Sequence, residues 1–206
     1  MYLFLSSHCV LNVTLHQGKF EWIAGLYPRH PTQNGRTCPM PRFDAVPEDD
    51  FKRGMRRLAA AVNVVSTLDE GRPAGLIATA VCSVSAGPPS LLVCVNRGTR
   101  THGLIVEAGV FCVNVLAADQ MPFARQFLAR DPAERFASCR WSTLATGSPA
   151  LDEAMTNFDC EVSSQFSSGT HDILVGHVVA MRQRESGNPL LYFEGDYRHI
   201  GHGESA

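Results

Sequence analysis

Gly75-Leu76-Ile77-Ala78-Thr79-Ala80-Val81-Cys82-Ser83-Val84-Ser85, then Gly87-Pro88-Pro89, then Leu91-Leu92-Val93-Cys94-Val95-Asn96-Arg97 reads as β structure on both sides of a tight turn. Residues 74–81 and 91–96 are short apolar runs carrying β-branched side chains, a strand pattern too brief for helical periodicity. Small and hydroxylated residues where the first run ends leave backbone N–H groups accessible, and such groups hydrogen-bond ring carbonyls or phosphate oxygens. The same composition also suits a plain strand-to-strand turn.

The β signal extends outward in both directions. Runs at 62–68, 110–116, 158–166, 173–182 and 190–193 are strand candidates, with Asp69-Glu70-Gly71-Arg72-Pro73 as a turn signal after the first. Helices are few, at 101–107 and 121–129, together with an opening helix after Pro47-Glu48-Asp49-Asp50. In that opening helix Phe51, Met55, Leu58, Ala59 and Val62 recur on one face, while Lys52, Arg53, Arg56 and Arg57 read as a solvated basic surface. So few helices cannot cover both faces of a parallel sheet, which predicts a mainly β fold, an antiparallel barrel with a few peripheral helices.

A chain of 206 residues holds one well-buried core. Residues 1–46 lack a sustained period and carry Pro28, Pro31, Pro39 and Pro41, so they read as a loosely ordered N-terminal extension, or in part an upstream translation artefact, before one domain over 47–206. No basic segment precedes the apolar Met1, Leu3 and Leu5, which argues against a signal peptide or membrane span. A net charge of -2 argues against nucleic acid as a partner. Seven scattered cysteines with no C-x-x-C pair, several inside apolar runs, point to a reducing, cytoplasmic setting and to no zinc site.

Neither a G-x-G-x-x-G after a strand nor a G-x-x-x-x-G-K-[ST] occurs, so any nucleotide cofactor is held another way. Asn96-Arg97-Gly98-Thr99-Arg100-Thr101-His102 is one candidate. Arg97 offers a planar fork for phosphate, and Thr99 and Thr101 offer hydroxyls beside free helix N-terminal amides, whether or not one of them is also the helix cap. A hydrolase triad from Ser83, His171 and Asp172 is disfavoured. No G-x-S-x-G elbow occurs, and alternation along a strand turns Asp172 away from His171. Neither His171 with His177 nor His199 with His202 comes with the carboxylates or thiolates of a metal site.

The order of these segments resembles the short-chain flavin reductases, whose fold is an FMN-binding split barrel. The resemblance runs from Phe51 to Gly201. It includes Phe51-Lys52-Arg53-Gly54-Met55-Arg56-Arg57-Leu58, the Ala78 to Ser85 block with Pro88-Pro89, Val95-Asn96-Arg97, Gly109-Val110-Phe111-Cys112-Val113-Asn114-Val115-Leu116, Arg135-Phe136, Gly147-Ser148-Pro149 and Gly169-Thr170-His171. It implies an antiparallel split β-barrel working as a homodimer, with FMN or FAD bound and NADH or NADPH as hydride donor. The flavin ring is then expected against Thr79, Ala80, Val81, Cys82 and Ser83, with its phosphate end near Ser85, Asn96, Arg97, Thr99, Thr101 and His102. Gly169 and His171 are expected on the nicotinamide side, His171 positioning that ring. Two residues depart from the family pattern: Ile77 stands where many relatives have threonine, and Thr170 where many have aspartate.

The implied activity is NAD(P)H:flavin oxidoreduction that supplies reduced flavin to a monooxygenase. The alternatives are a reductase passing electrons from bound flavin to another acceptor such as a cobalt corrinoid, and a non-enzymatic flavin or haem carrier on the same barrel. A chain beginning at Pro41 is expected to stay soluble and bind flavin, as followed by gel filtration and flavin fluorescence; loss of folding on that truncation would place the extension in the core or in a subunit interface.

Overall fold

The computed structural model describes residues 44–200, so nearly all of the expected N-terminal extension lies outside the described residues. In chain order the elements are α1 (Glu48–Met55), β1 (Ala60–Ala61), β2 (Asn63–Asp69), β3 (Arg72–Ala78), β4 (Val81–Ala86) and β5 (Pro89–Asn96), followed by α2 (Arg100–Ala108) and β6 (Val110–Val115). Then come α3 (Met121–Ala129), β7 (Trp141–Thr143), β8 (Pro149–Leu151), β9 (Thr156–Ser168), β10 (His171–Gln183), β11 (Leu190–Phe193) and β12 (Asp196–His199). Among the described residues, no helix is long and apolar enough to cross a membrane.

Seven strands form one antiparallel sheet in the order β3-β2-β6-β9-β10-β5-β4. Its two edges, β3 and β4, are consecutive in the chain and joined only through Thr79 and Ala80. So short a link brings the edges together, which curls the sheet into a barrel left split between β3 and β4. This is the split barrel expected from the sequence. Smaller sheets, β1-β11-β12 and β7-β8, flank it.

Burial follows the alternation of the strands. On β5, Leu91, Val93 and Val95 are buried while Leu92 and Cys94 are half-buried. Val93 and Val95 pack with Val65, Phe111, Val113, Leu174 and, from α2, Ile105. A second cluster gathers Val62, Val64, Leu116, Leu151 and Leu190 with Phe127 of α3, whose ring meets Phe123 and Phe136 edge-on at 5.5 and 5.4 Å. Neighbours Val64 and Val65 thus serve opposite cores, and β2 is buried on both faces. Between the clusters, Asn114 donates to the Val64 carbonyl at 2.9 Å and accepts from Leu151 N at 2.8 Å and Asn157 Nδ2 at 2.7 Å. That buried polar knot satisfies backbone groups which would otherwise face an apolar interior.

Three expectations need correction. The opening helix ends at Met55, and Val62 belongs to the core rather than to the helix face. The β1–β11 pairing at Ala60 and Ala61 claims the chain before a third helical turn can form. Phe51 and Met55 of α1 and Leu58 after it are exposed, so the expected apolar stripe is not buried among the described residues. The run at 74–81 is broken at Thr79-Ala80, and Val81 opens a separate strand that continues to Ala86. Cys82 is exposed on that strand.

Gly176 of β10 lies where a Cβ would stand 2.6 Å from the Phe111 ring and 2.9 Å from Cys160 Cβ, both buried. Only the absence of a side chain lets β10 pass over Phe111. Gly176→Ala is therefore expected to destabilise the fold by about 1–3 kcal/mol, or roughly 2–12 °C in Tm, read by thermal unfolding. An unchanged Tm would show that Phe111 can move aside.

Candidate functional site

The β3–β4 crossover, the β5–α2 junction and the start of β10 converge on one cavity of about 260 Å³. Its lining includes Thr79 and Ala80 from the crossover, Cys94, Asn96 and Thr99 from the junction, and His171 from β10, with Ile77 on the β3 side. Five of the residues singled out in the sequence, namely Thr79, Ala80, Asn96, Thr99 and His171, thus meet in one place.

Local geometry explains each position. Val81 N donates to the Thr79 carbonyl and Cys94 N to the Ala80 carbonyl, both at 3.0 Å, so the crossover is a fixed kink rather than a loose loop. Thr99 caps α2: its Oγ1 accepts from His102 N at 3.3 Å and donates to the Asn96 carbonyl at 2.8 Å. Asn96 Oδ1 accepts from Gly98 N at 2.8 Å, which folds the junction. Gly169, with φ 55, is the left-handed residue of a two-residue hairpin turn that sets Ser168 opposite His171.

The next residue along β10 is the structural centre of the site. Asp172 is 1% exposed, whereas His171 beside it is open to solvent, as strand alternation requires. The Asp172 carboxylate accepts from Ser167 Oγ at 2.7 Å, Gln165 Nε2 at 2.5 Å and His102 Nε2 at 2.7 Å, and lies 3.9 Å from Arg97 Nε. The Ser167 bond, with those of His102 and Gln165, holds its pKa below the ordinary carboxylate value against the opposing effect of burial. Arg97 also donates to the Gly169 carbonyl, which ties the end of β5 to the hairpin turn. Thr170 Oγ1 and His171 Nδ1 are in hydrogen-bond contact at 2.9 Å, so the threonine orients the imidazole.

Other expected site residues lie elsewhere. Val81, Cys82, Ser83 and Ser85 run along β4, an edge strand bulged between Ser83 and Ser85, with Ser85 Oγ accepting from Gly87 N at 3.1 Å. Among the described residues its outer edge has no neighbouring strand, which leaves backbone groups free. His102 is committed to Asp172, and Arg97 to Gly169 and Asp172. Thr101 is buried and lines a separate cavity of about 110 Å³ beside Arg100, whose guanidinium bonds Asp69 at 2.5 Å. Among the described residues no three His, Cys, Asp or Glu side chains gather as a metal set.

The cavity falls just under the roughly 300–1,000 Å³ of enclosed small-molecule sites. It therefore suits a ring system held with one side open. Its lining is neutral and polar at the rim, with amide, hydroxyl and imidazole groups and an edge strand beside them, a donor set that fits a flavin ring.

Comparison with known proteins agrees with this geometry. The flavin reductase like domain matches residues 55–201, and the chain belongs to that family. It is 47% identical over 150 residues to the FMN reductase (NADH) RutF of Stutzerimonas stutzeri, covering 72% of this chain and 86% of the relative. A nitrilotriacetate monooxygenase component B homologue from Mycobacterium thermoresistibile superposes with a TM-score of 0.73 at 28% identity, over 77% of this chain and 89% of the other. The styrene monooxygenase flavin reductase of Pseudomonas putida does so with a TM-score of 0.66 at 29% identity, over 74% and 97%.

Because the folded Asp172 pKa is lowered, its stabilising contribution is complete above the ordinary carboxylate pKa, about 4. That contribution is lost as pH falls through the lowered value. Asp172→Asn is expected to be less stable than wild type at pH 7, the gap closing below about pH 4, as measured by denaturant unfolding across pH. A gap that stays constant down to pH 3 would show that the carboxylate charge is not what the network holds.

Proposed function

We propose that this chain is an NADH-dependent FMN reductase that supplies reduced flavin to a separate monooxygenase. The observation that carries the reading is the convergence of Thr79, Ala80, Asn96, Thr99 and His171, from three segments far apart in the chain, on one open cavity. The choice of FMN and NADH follows the RutF relative, and the acceptor follows the monooxygenase components among the similar structures.

Hydride transfer between C4 of the nicotinamide and N5 of the flavin is chemistry the two cofactors supply. The chain's part is positioning. Backbone groups of Thr79, Ala80 and the outer edge of β4 at Val81, Cys82 and Ser83 hold the flavin ring. The N-terminus of α2 behind Thr99, with Asn96 and the N–H groups of Arg97 not used on Gly169 and Asp172, holds the phosphate end. His171, its Nδ1 held by Thr170, keeps Nε2 for the nicotinamide carboxamide. No nucleophile or strong acid is needed, because alignment of two bound rings at contact distance itself lowers the barrier.

The working unit is a homodimer. Val84 of β4, Phe166 of β9 and Met181 of β10 are large, exposed hydrophobics on the seven-stranded sheet, side chains of the kind that a second copy would cover. All five described cysteines are free, in keeping with a reducing compartment such as the cytoplasm.

His171→Ala is expected to leave FMN affinity nearly unchanged and to slow anaerobic reduction of FMN by NADH roughly tenfold or more. Stopped-flow bleaching of the flavin absorbance at several NADH concentrations reads this. Equal rates at every concentration would remove His171 from the site, and no bleaching by wild type would overturn the reductase reading.

A further inference from the structure

A cavity of about 540 Å³ opens between the start of α3, the segment just before β7 and the turn after β8. It shares no lining residue with the cavity at His171. Its volume lies within the roughly 300–1,000 Å³ of small-molecule sites, and the flavin chemistry proposed above makes no use of it.

One polar group in this cavity is left unanswered. Gln120 lines it, is only 8% exposed, and is fixed by a reciprocal turn: its backbone N donates to the Ala117 carbonyl and its Oε1 accepts from Ala117 N, both at 2.9 Å. With the oxygen so held, Nε2 carries two hydrogens that have no partner among the described residues. Apolar side chains share the lining. Leu151 is 1% exposed, and the half-buried Phe123 has its ring braced edge-on by Phe127 at 5.5 Å. The charged residues of the lining are answered in pairs: Asp119 accepts from both terminal nitrogens of Arg184 at 3.2 and 2.9 Å, and Arg140 lies 3.5 Å from Glu153. The cavity thus offers an aromatic and aliphatic wall, balanced charges and one neutral donor.

We propose that this cavity is a second small-molecule site, for an uncharged aryl carbonyl compound. The ring of such a ligand packs on Phe123 and Leu151, and its carbonyl oxygen accepts from Gln120 Nε2. A carboxylate is disfavoured because the lining has no spare cation to replace its water, and an ammonium because Gln120 presents hydrogens where the ligand would present its own. The inference goes beyond the reductase reading and does not rest on it, since the two cavities are separate.

The test compares 1-indanone, an aryl ketone, with 1-aminoindane, which has the same skeleton and an ammonium in place of the carbonyl. Ligand-observed NMR titrations use the whole protein with FMN in excess, which keeps the probes out of a flavin site. The ketone should saturate wild type with a dissociation constant on the order of 1 mM or tighter, and the amine should bind about tenfold more weakly. Gln120→Glu keeps an acceptor for Ala117 N but replaces the donor by a carboxylate oxygen, so it should invert the order of the two probes. Damage to the packing would weaken both without inverting them. Location is read on wild type: saturating 1-indanone should slow iodoacetamide labelling of Cys139, which lines the cavity, severalfold and leave the exposed Cys82 unchanged. If Gln120→Glu does not fold, the labelling alone decides. Binding that does not saturate, an unchanged order of the probes in the folded variant, or an unprotected Cys139 would each overturn the inference. If FMN fails to bind while Cys139 is protected, the second site stands and the reductase reading falls.

Discussion

The site is organised around one buried carboxylate. Asp172 draws donors from β9, from the first turn of α2 and from the end of β5, and each of those segments also carries or adjoins a cavity residue. A carboxylate taken from water is tolerated only when its lone pairs are met, so the four segments are held at a common point. His102 fixes α2, whose cap is Thr99. Arg97 fixes the Gly169 turn, which sets His171 at the rim. Strand alternation then divides the labour, because the residue that points inward locks the frame and the one that points outward is free for a ligand.

Much of the barrel was legible because strands announce themselves locally. The long β9–β10 hairpin, with its Gly169-Thr170 turn, needed only apolar runs and a glycine in the right place. Where the reading failed, a distant partner had decided the outcome. Nothing near Ala60 and Ala61 shows that β11 will pair with them and end a helical pattern that fits through Val62. The break at Thr79-Ala80 was hidden for a similar reason. The run at 74–81 is apolar but for the single hydroxyl of Thr79, and closure of the barrel requires the chain to turn from one edge of the sheet to the other at that point.

The candidate site was legible where residue chemistry and local geometry coincide, as at Thr99 before a helix or His171 after a hairpin glycine. Thr101 had the same chemistry as Thr99, but two residues of helix carry its side chain to another surface. Asp172 makes a poor triad member, because strand alternation turns it away from His171. Its actual role had a signal in the chain. It is the lone acid in the strand over His171–Gln183, and Gln165 and Ser167 share a strand face two residues apart on the other arm of the hairpin. A single carboxylate in an apolar strand needs neutral donors nearby, and the hairpin register puts Ser167 directly opposite.

This arrangement also explains why so little ionisable chemistry lines the cavity. Hydride transfer between two bound rings asks the chain for alignment rather than for a nucleophile or strong acid, and amides, hydroxyls and one hydrogen-bonded imidazole can supply it. The charged residues of the region are turned to other tasks, Asp172 inward and Arg97 toward Gly169. The cavity is small and open on one side, so it would enclose a flavin ring only in part. Partial enclosure limits the apolar area buried, and the hold on the ligand weakens with it. For a protein whose product is a reduced flavin used elsewhere, a tight site would trap that product. On the proposed placement of the flavin, the rigid frame around Asp172 supplies alignment and the open cavity would let the flavin leave.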